Sequence, residues 1–180
     1  MPAKTYLIHN SAAVTTAAPV SQPTGTAVRT MMQLAPAAGY PMRIIEWGVS
    51  FDGSAAATPG KVELFATTVA ATGLSTAFLL ADIQRYGDPN APANTSGTSG
   101  LPLNLGTGLS GFATGAVTEG TVANARMFDA QLIAPTSQYV KQFPLGREPE
   151  LNGAATAEFL RVRTTFGTTV NAFIYCVVEF

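Results

Sequence analysis

Between Met42 and Asp52 the side chains alternate, with Arg43, Ile45, Trp47, Val49 and Phe51 on one side and Met42, Ile44, Glu46, Gly48 and Ser50 on the other. A period of two over ten residues predicts a strand, half-buried through the Ile45-Trp47-Val49-Phe51 row. Asp52-Gly53-Ser54 and Pro59-Gly60 carry turn chemistry, because Gly tolerates positive φ and Pro presets φ near −65°. Alternation resumes from Lys61 to Thr67 through Val62 and Leu64, so the two runs predict an antiparallel hairpin. A second hairpin is expected from Phe159–Phe166 and Thr169–Glu179 around Gly167-Thr168. In its last strand Val170, Ala172, Ile174, Cys176 and Val178 face one way, and Asn171, Phe173, Tyr175 and Val177 face the other. A strand apolar on both faces belongs in the middle of a sheet or against a partner subunit.

Elsewhere the pattern is weaker. Residues 1–26 are rich in small and β-branched side chains, contain Pro19 and Pro23, and have no periodicity; they are expected to form an extended N-terminal arm, with the globular domain spanning 27–180. Val28–Leu34 alternates weakly. In residues 75–86, Leu79, Ile83 and Tyr86 fit a helical stripe with Ser75 as cap, and a strand fits as well. Residues 87–121 form a Gly/Pro/Ser/Thr-rich insertion loop, longer than compact domains ordinarily tolerate without function, with a short strand expected near Gly111–Val117. Ala125–Ala134 reads as a strand with Phe128, Ala130 and Leu132 on one face; Gln138–Phe143 continues the sheet, and 144–153 is a turn-rich crossing. Seven or eight short strands with no long helix predict an all-β domain, a β-sandwich of jelly-roll-like topology with an extended N-terminal arm.

Composition narrows the function more than it identifies one. Charged residues make up 12% of the 180, against about 25% in ordinary domains, while hydrophobic residues make up 47%. A surface so poor in charge is typical of proteins that sit against neighbours. No apolar run approaches the roughly 18 residues of a membrane helix, and the N-terminus lacks a signal-peptide core, so neither membrane insertion nor classical secretion is expected. Ten basic and eleven acidic residues give a net charge of −1. No basic cluster of the kind that grips nucleic acid is present.

Candidate chemistry is sparse. His9 is the sole histidine and would have to serve as the base of any Ser-His-Asp or Cys-His arrangement. Cys176 alternates with Ile174 and Val178, which favours a small core residue over a thiolate nucleophile. One His and one Cys do not supply a catalytic zinc site, and no D-x-D-x-D-G calcium loop is present. Gly106-Thr107-Gly108-Leu109-Ser110-Gly111 matches G-x-G-x-x-G, yet neither a strand before it nor a helix after it is expected. Glu148 and Glu150 are close carboxylates but flank Pro149 in a turn, where pairing with Arg147 is the simpler role than glycoside hydrolysis. Asn94-Thr95-Ser96 is a glycosylation sequon without a secretory context. Arg161 and Arg163 share a strand face with Phe159; two guanidinium groups could grip a carboxylate or phosphate, and the commoner arrangement is neutralisation by nearby acids such as Glu158 and Glu179. Trp47 could stack on a sugar, but its row partners place it in the core. The expectation is therefore no catalytic residue, no metal and no cofactor.

The phrases IIEWGVSFDGSAAATPGKVEL, YGDPNAPA, TEGTVANARMFDAQLIAPTSQYVKQFPLGREPEL and FLRVRTTFGTTVNAFIYCVVEF resemble β-sandwich virion proteins of tailed bacteriophages, particularly those of actinobacterial phages. The resemblance covers about residues 43–180 and rests on phrases, not on a catalytic signature. It implies a capsid decoration (minor capsid) protein on the outer surface of the phage head, made in the host cytoplasm. The implied assembly is a homotrimer, with the major capsid protein as partner. The alternatives are a tail or baseplate component, and a carbohydrate-binding or adhesin-like sandwich using loop side chains in residues 86–121.

Overall fold

A computed structural model describes residues 4–13, 16–52, 58–72, 74–86, 102–106, 108–114, 119–153 and 158–180. Its strands, in chain order, are β1 Thr5–His9, β2 Gln22–Pro23, β3 Arg29–Leu34, β4 Met42–Asp52, β5 Gly60–Thr67, β6 Thr76–Ala77, β7 Ile83–Arg85, β8 Gly111–Phe112, β9 Arg126–Ile133, β10 Tyr139–Gln142, β11 Glu150–Leu151, β12 Phe159–Thr165 and β13 Asn171–Glu179. Sheet A runs β10-β4-β13-β1-β7, with β11 also on β4 and β2 also on β13; sheet B runs β6-β8-β3-β12-β5-β9. All strand pairs are antiparallel. The chain is a β-sandwich, and its core lies between the two inner faces. From sheet A come Tyr6, Ile8, Met42, Ile44, Trp47, Val49, Ala172, Ile174, Cys176 and Val178; from sheet B come Met32, Leu34, Val62, Leu64, Leu160 and Val162.

Both expected hairpins are corrected. β4 lies in sheet A and β5 in sheet B; likewise β12 lies in sheet B and β13 in sheet A. The strands exist where alternation places them, but each pair changes sheet at its turn. β3 to β4 and β9 to β10 do the same, so at each of these four connections the chain crosses from one layer to the other. Period two identifies a strand and its buried face without saying which strand lies beside it.

The predicted face of β4 is right in one half and wrong in the other. Trp47 is fully buried and Val49 faces the core, but in the first half Met42 and Ile44 point inward in place of Arg43 and Ile45. The cause is a bulge: Val177 pairs Glu46 and Val178 pairs Ile44, leaving Ile45 as the extra residue. One inserted residue reverses the facing of everything beyond it. β9 carries a second bulge, at Phe128, between the pairs Leu64–Asp129 and Phe65–Met127. It turns Phe128 toward the core and leaves Ala130 and Leu132 on the outer face. In β13 the prediction holds throughout, because the Ala172-Ile174-Cys176-Val178 row is buried and the strand is central in its sheet.

Within residues 1–26, Thr5–His9 and Gln22–Pro23 are strands of sheet A, so this part of the chain is not apart from the sandwich. β1 pairs β13 from Thr5–Glu179 to His9–Tyr175 and pairs β7 on its other side, burying Tyr6 and Ile8. Asn10 prolongs the pairing with its side chain: its amide Nδ2 donates to Ala172 O at 3.1 Å, and its Oδ1 accepts the Ile174 N–H at 2.8 Å. β2 then covers the lower half of the same edge, at Asn171 and Ala172. Five residues are too few for alternation to stand out, and only the waiting edge of β13 makes them a strand.

Residues 75–86 are neither one helix nor one strand; β6, a 3₁₀ turn over Leu80–Asp82 and β7 carry the chain from sheet B to sheet A. In the 87–121 insertion, the expected short strand is β8, on the edge of β3. The span 87–101, with its sequon at Asn94, lies outside the described residues.

Removing residues 1–12 exposes the β13 edge and deletes two core side chains. We expect this truncation to cost about 3–6 kcal/mol, the worth of burying Tyr6 and Ile8, read as a lower urea midpoint. An unchanged midpoint would show that β1 is dispensable.

Candidate functional site

The two outer faces of the sandwich differ in kind. On sheet B the outer face is roofed by the chain itself. Cross-strand neighbours place Gln33, Arg161, Phe65 and Met127 in one row and Thr30, Arg163, Glu63 and Ala130 in the next. The Arg161 side chain is 0% exposed. Its Nε donates to Gln33 Oε1 at 3.2 Å, its Nη1 to Glu119 Oε1 at 3.2 Å, and its Nη2 to the Val69 carbonyl. Arg163 donates to Glu63 Oε2 at 2.6 Å and lies 3.7 Å from Glu119, with its guanidinium 4.7 Å from the Phe65 ring centroid. Gln33 also accepts the Ala71 N–H at 2.8 Å, and Thr30 donates to Glu119 at 2.8 Å.

Burial lowers the Arg161 guanidinium from its ordinary value, and Glu119 opposes that effect. For Arg163, burial alone would depress the group, but Glu63 and Glu119 together raise it. The acids that neutralise this pair are Glu63 and Glu119, not Glu158 and Glu179, which pair Arg126 and Arg43 instead. Glu119 comes from the 87–121 insertion and was invisible as a partner in sequence. With each arm of Arg161 occupied inside the protein, the pair fastens the 68–72 and 119–123 segments onto the sheet and leaves no fork for an incoming anion.

The outer face of sheet A has an aromatic, partly exposed centre. His9 on β1 stacks on Phe173 of β13, with ring centroids 4.8 Å apart and planes 27° apart; Tyr175 lies 6.1 Å from His9. The Tyr175 ring lies over Gly48, where a Cβ would collide with its Cε1 and Cζ, so only glycine admits it. Its hydroxyl donates to Glu46 Oε1 at 2.6 Å. Burial, and then Glu46, push the Tyr175 phenol well above its ordinary value, and desolvation lowers the His9 imidazole. The three rings therefore carry no charge near neutral pH, and the Glu46 carboxyl group lies beside them. At its end, next to Phe173, a groove of about 580 Å³ opens between the ring and the 18–21 segment.

The other candidates fall into place singly. Cys176 is fully buried and desolvation pushes its thiol up, which suits a core residue. Glu150 lies 3.9 Å from Arg43 rather than beside Arg147. Gly111 of the G-x-G-x-x-G match enters strand β8, and no helix follows among the described residues. No group of three or more His, Cys, Asp or Glu that could hold a metal ion is present among the described residues. The aromatic face was partly legible, since Phe173 and Tyr175 alternate in the sequence. The contribution of His9 was not, because it depends on the pairing of the two chain ends.

No protein-family model, curated protein or solved structure matches this chain.

Glu119→Gln leaves the Arg161 charge buried without its partner, and we expect it to destabilise the fold by about 3–5 kcal/mol. Adding Arg161→Met removes the stranded charge, and chemical denaturation should show most of the loss recovered. A single-mutant effect under about 1 kcal/mol would mean the pair is effectively solvated.

His9 gives a pH dependence of definite sign. Its folded pKa lies below the ordinary 6.5, so as pH falls through 6.5 the unfolded chain takes up a proton that the folded protein refuses. The stability contribution is full above that value and is lost below it. The Tm of the wild type should fall relative to that of His9→Gln as pH is lowered from about 7 to about 5.5. Parallel curves would show that His9 protonates equally in both states.

Proposed function

We propose that this protein is a virion structural protein, a decoration or minor capsid protein bound to the outer surface of a tailed-bacteriophage head, with the major capsid protein and its own copies as partners. It works by fitting surfaces together, without a reaction. The carrying observation is one side of the sandwich. There β9 ends sheet B and β10 ends sheet A, each with a single long neighbour. The two strands are held together by Asp129, whose Oδ2 accepts Tyr139 O–H at 2.7 Å and the Trp47 indole N–H at 3.2 Å. Burial and Asp129 raise the Tyr139 phenol to about 12, keeping it a donor.

On the outward row of β9 Met127 is 50% and Leu132 74% exposed, and on the outer face of β10 Val140 is 52% exposed. Large apolar side chains gathered along two sheet edges are the composition of an interaction surface. The inward Asp129 and the Phe128 bulge interrupt the first half of β9, which limits open-ended edge pairing while leaving Ala130–Ile133 accessible. The same low charge that is unusual for a free monomer suits a protein seated among neighbours. The resemblance of residues 43–180 to phage virion proteins supplies the kind of assembly, and the trimer is part of that proposal.

The localising experiment is electron microscopy of virions, with density for this chain expected on the head exterior. Density confined to the tail or baseplate would replace the head reading. We further expect Met127→Lys combined with Leu132→Lys to weaken binding to undecorated heads about thirtyfold, the scale of an interface hot spot, while shifting stability by no more than about 0.5 kcal/mol. Undiminished saturation of heads by this variant would remove the β9 side from the interface.

A further inference from the structure

We propose that the groove at the end of the sheet A aromatic face is a subsite for one neutral hexopyranose. It is built from Phe173 on β13, Ser50 and Asp52 on β4, and Pro19, Val20 and Ser21 of the segment leading into β2. Phe173 pairs Ser50 and Asn171 pairs Asp52, so the ring, the hydroxyl and the carboxylate all project from the same outer face. The 18–21 segment is held across them by Ser21 Oγ, which donates to Asp52 Oδ2 at 3.0 Å. The result is a shallow, open groove with an aromatic wall, an aliphatic wall and a polar floor.

Those three surfaces match the surfaces of a pyranose. A sugar ring carries a face of C–H groups, which stacks on an aromatic ring, and a rim of hydroxyls that both donate and accept. His9 braces one side of the Phe173 ring, so the ring is positioned before any ligand arrives. Asp52 Oδ1 and the Ser50 hydroxyl have no protein hydrogen-bond partner among the described residues, which leaves one strong acceptor and one donor-acceptor at the floor. The volume lies in the ordinary range of small-molecule sites, roughly 300–1,000 Å³. No Lys or Arg lines the groove, and the Asp52 carboxylate repels anions, which disfavours phosphates, nucleotides and acidic sugars. The site shares no lining residue with the β9–β10 side, and it stands whether or not the protein decorates a phage head.

The test is a titration of the intact ¹⁵N-labelled protein with glucose, galactose and N-acetylglucosamine, with glucuronate as the charged control. At least one neutral sugar should give saturable shifts at the Ser21, Ser50 and Phe173 amides, with a Kd of about 1–10 mM. Phe173→Ala and Asp52→Asn should each weaken that binding about tenfold or more, with the remaining spectrum unchanged. Asp52→Asn keeps the shape of the side chain, so it decides the matter if Phe173→Ala disturbs β1. Glucuronate should bind more weakly than glucose. The proposal is overturned if none of the three neutral sugars gives saturable shifts, if Asp52→Asn binds like the wild type, or if glucuronate binds as well as glucose.

Discussion

Strand β13 is the member on which the rest of the structure depends. Its backbone runs through the centre of sheet A, and a buried backbone must find a hydrogen-bond partner for each N–H and C=O. On one side β4 supplies partners from Asn171 to Glu179. On the other no single strand does. The upper half is covered by β1, the step beyond it by the Asn10 side chain, and the lower half by Thr24 and β2. The first and last segments of the chain are thus obligatory neighbours. Contacts of such long sequence separation carry a large loop-closure cost and make for slow folding.

The central position of β13 also accounts for the difference between the outer faces. Its inner row fills the core, and its outer row places Phe173 and Tyr175 in the middle of the sheet, flanked by His9 and by the vacancy at Gly48. Sheet B has the opposite arrangement. β12 carries Arg161 and Arg163 outward, and charges of that kind under a roof are tolerable only with partners. Glu63 comes from the adjacent strand and Glu119 from the insertion, so the ion pairs and the roof require each other. Among the described residues, one face is closed by its own chain and the other keeps its aromatic centre partly exposed.

The scarcity of charge takes on a sharper meaning in this light. Arg161, Arg163, Glu63 and Glu119 belong to an already small set of ionisable residues, and they are spent inside the protein. What remains outside is thin, and along β9 and β10 it gives way to Met127, Leu132 and Val140. The lock of Trp47 and Tyr139 on Asp129 holds those two edges in register across the sheets, so the exposed side is a built surface rather than a frayed margin.

By itself the sequence determined the strands and the core rows within them. Alternation marked β4, β5, β12 and β13, placed Trp47 and Cys176 inside, and made a two-layer all-β sandwich the natural outcome, because period two is a property of each strand alone. Neighbours, by contrast, were decided only in three dimensions. The turns after β4 and β12 lead across to the other sheet. Ile45 and Phe128 bulge because two strands must be matched in register. Residues 5–9 become a strand because the edge of β13 is open to them. Glu119 neutralises Arg161 across 42 residues of chain, and His9 reaches Phe173 only when the two ends of the chain lie side by side. Facing is local and therefore legible in order along the chain, whereas pairing is a competition among all available edges, settled by the fold as a whole.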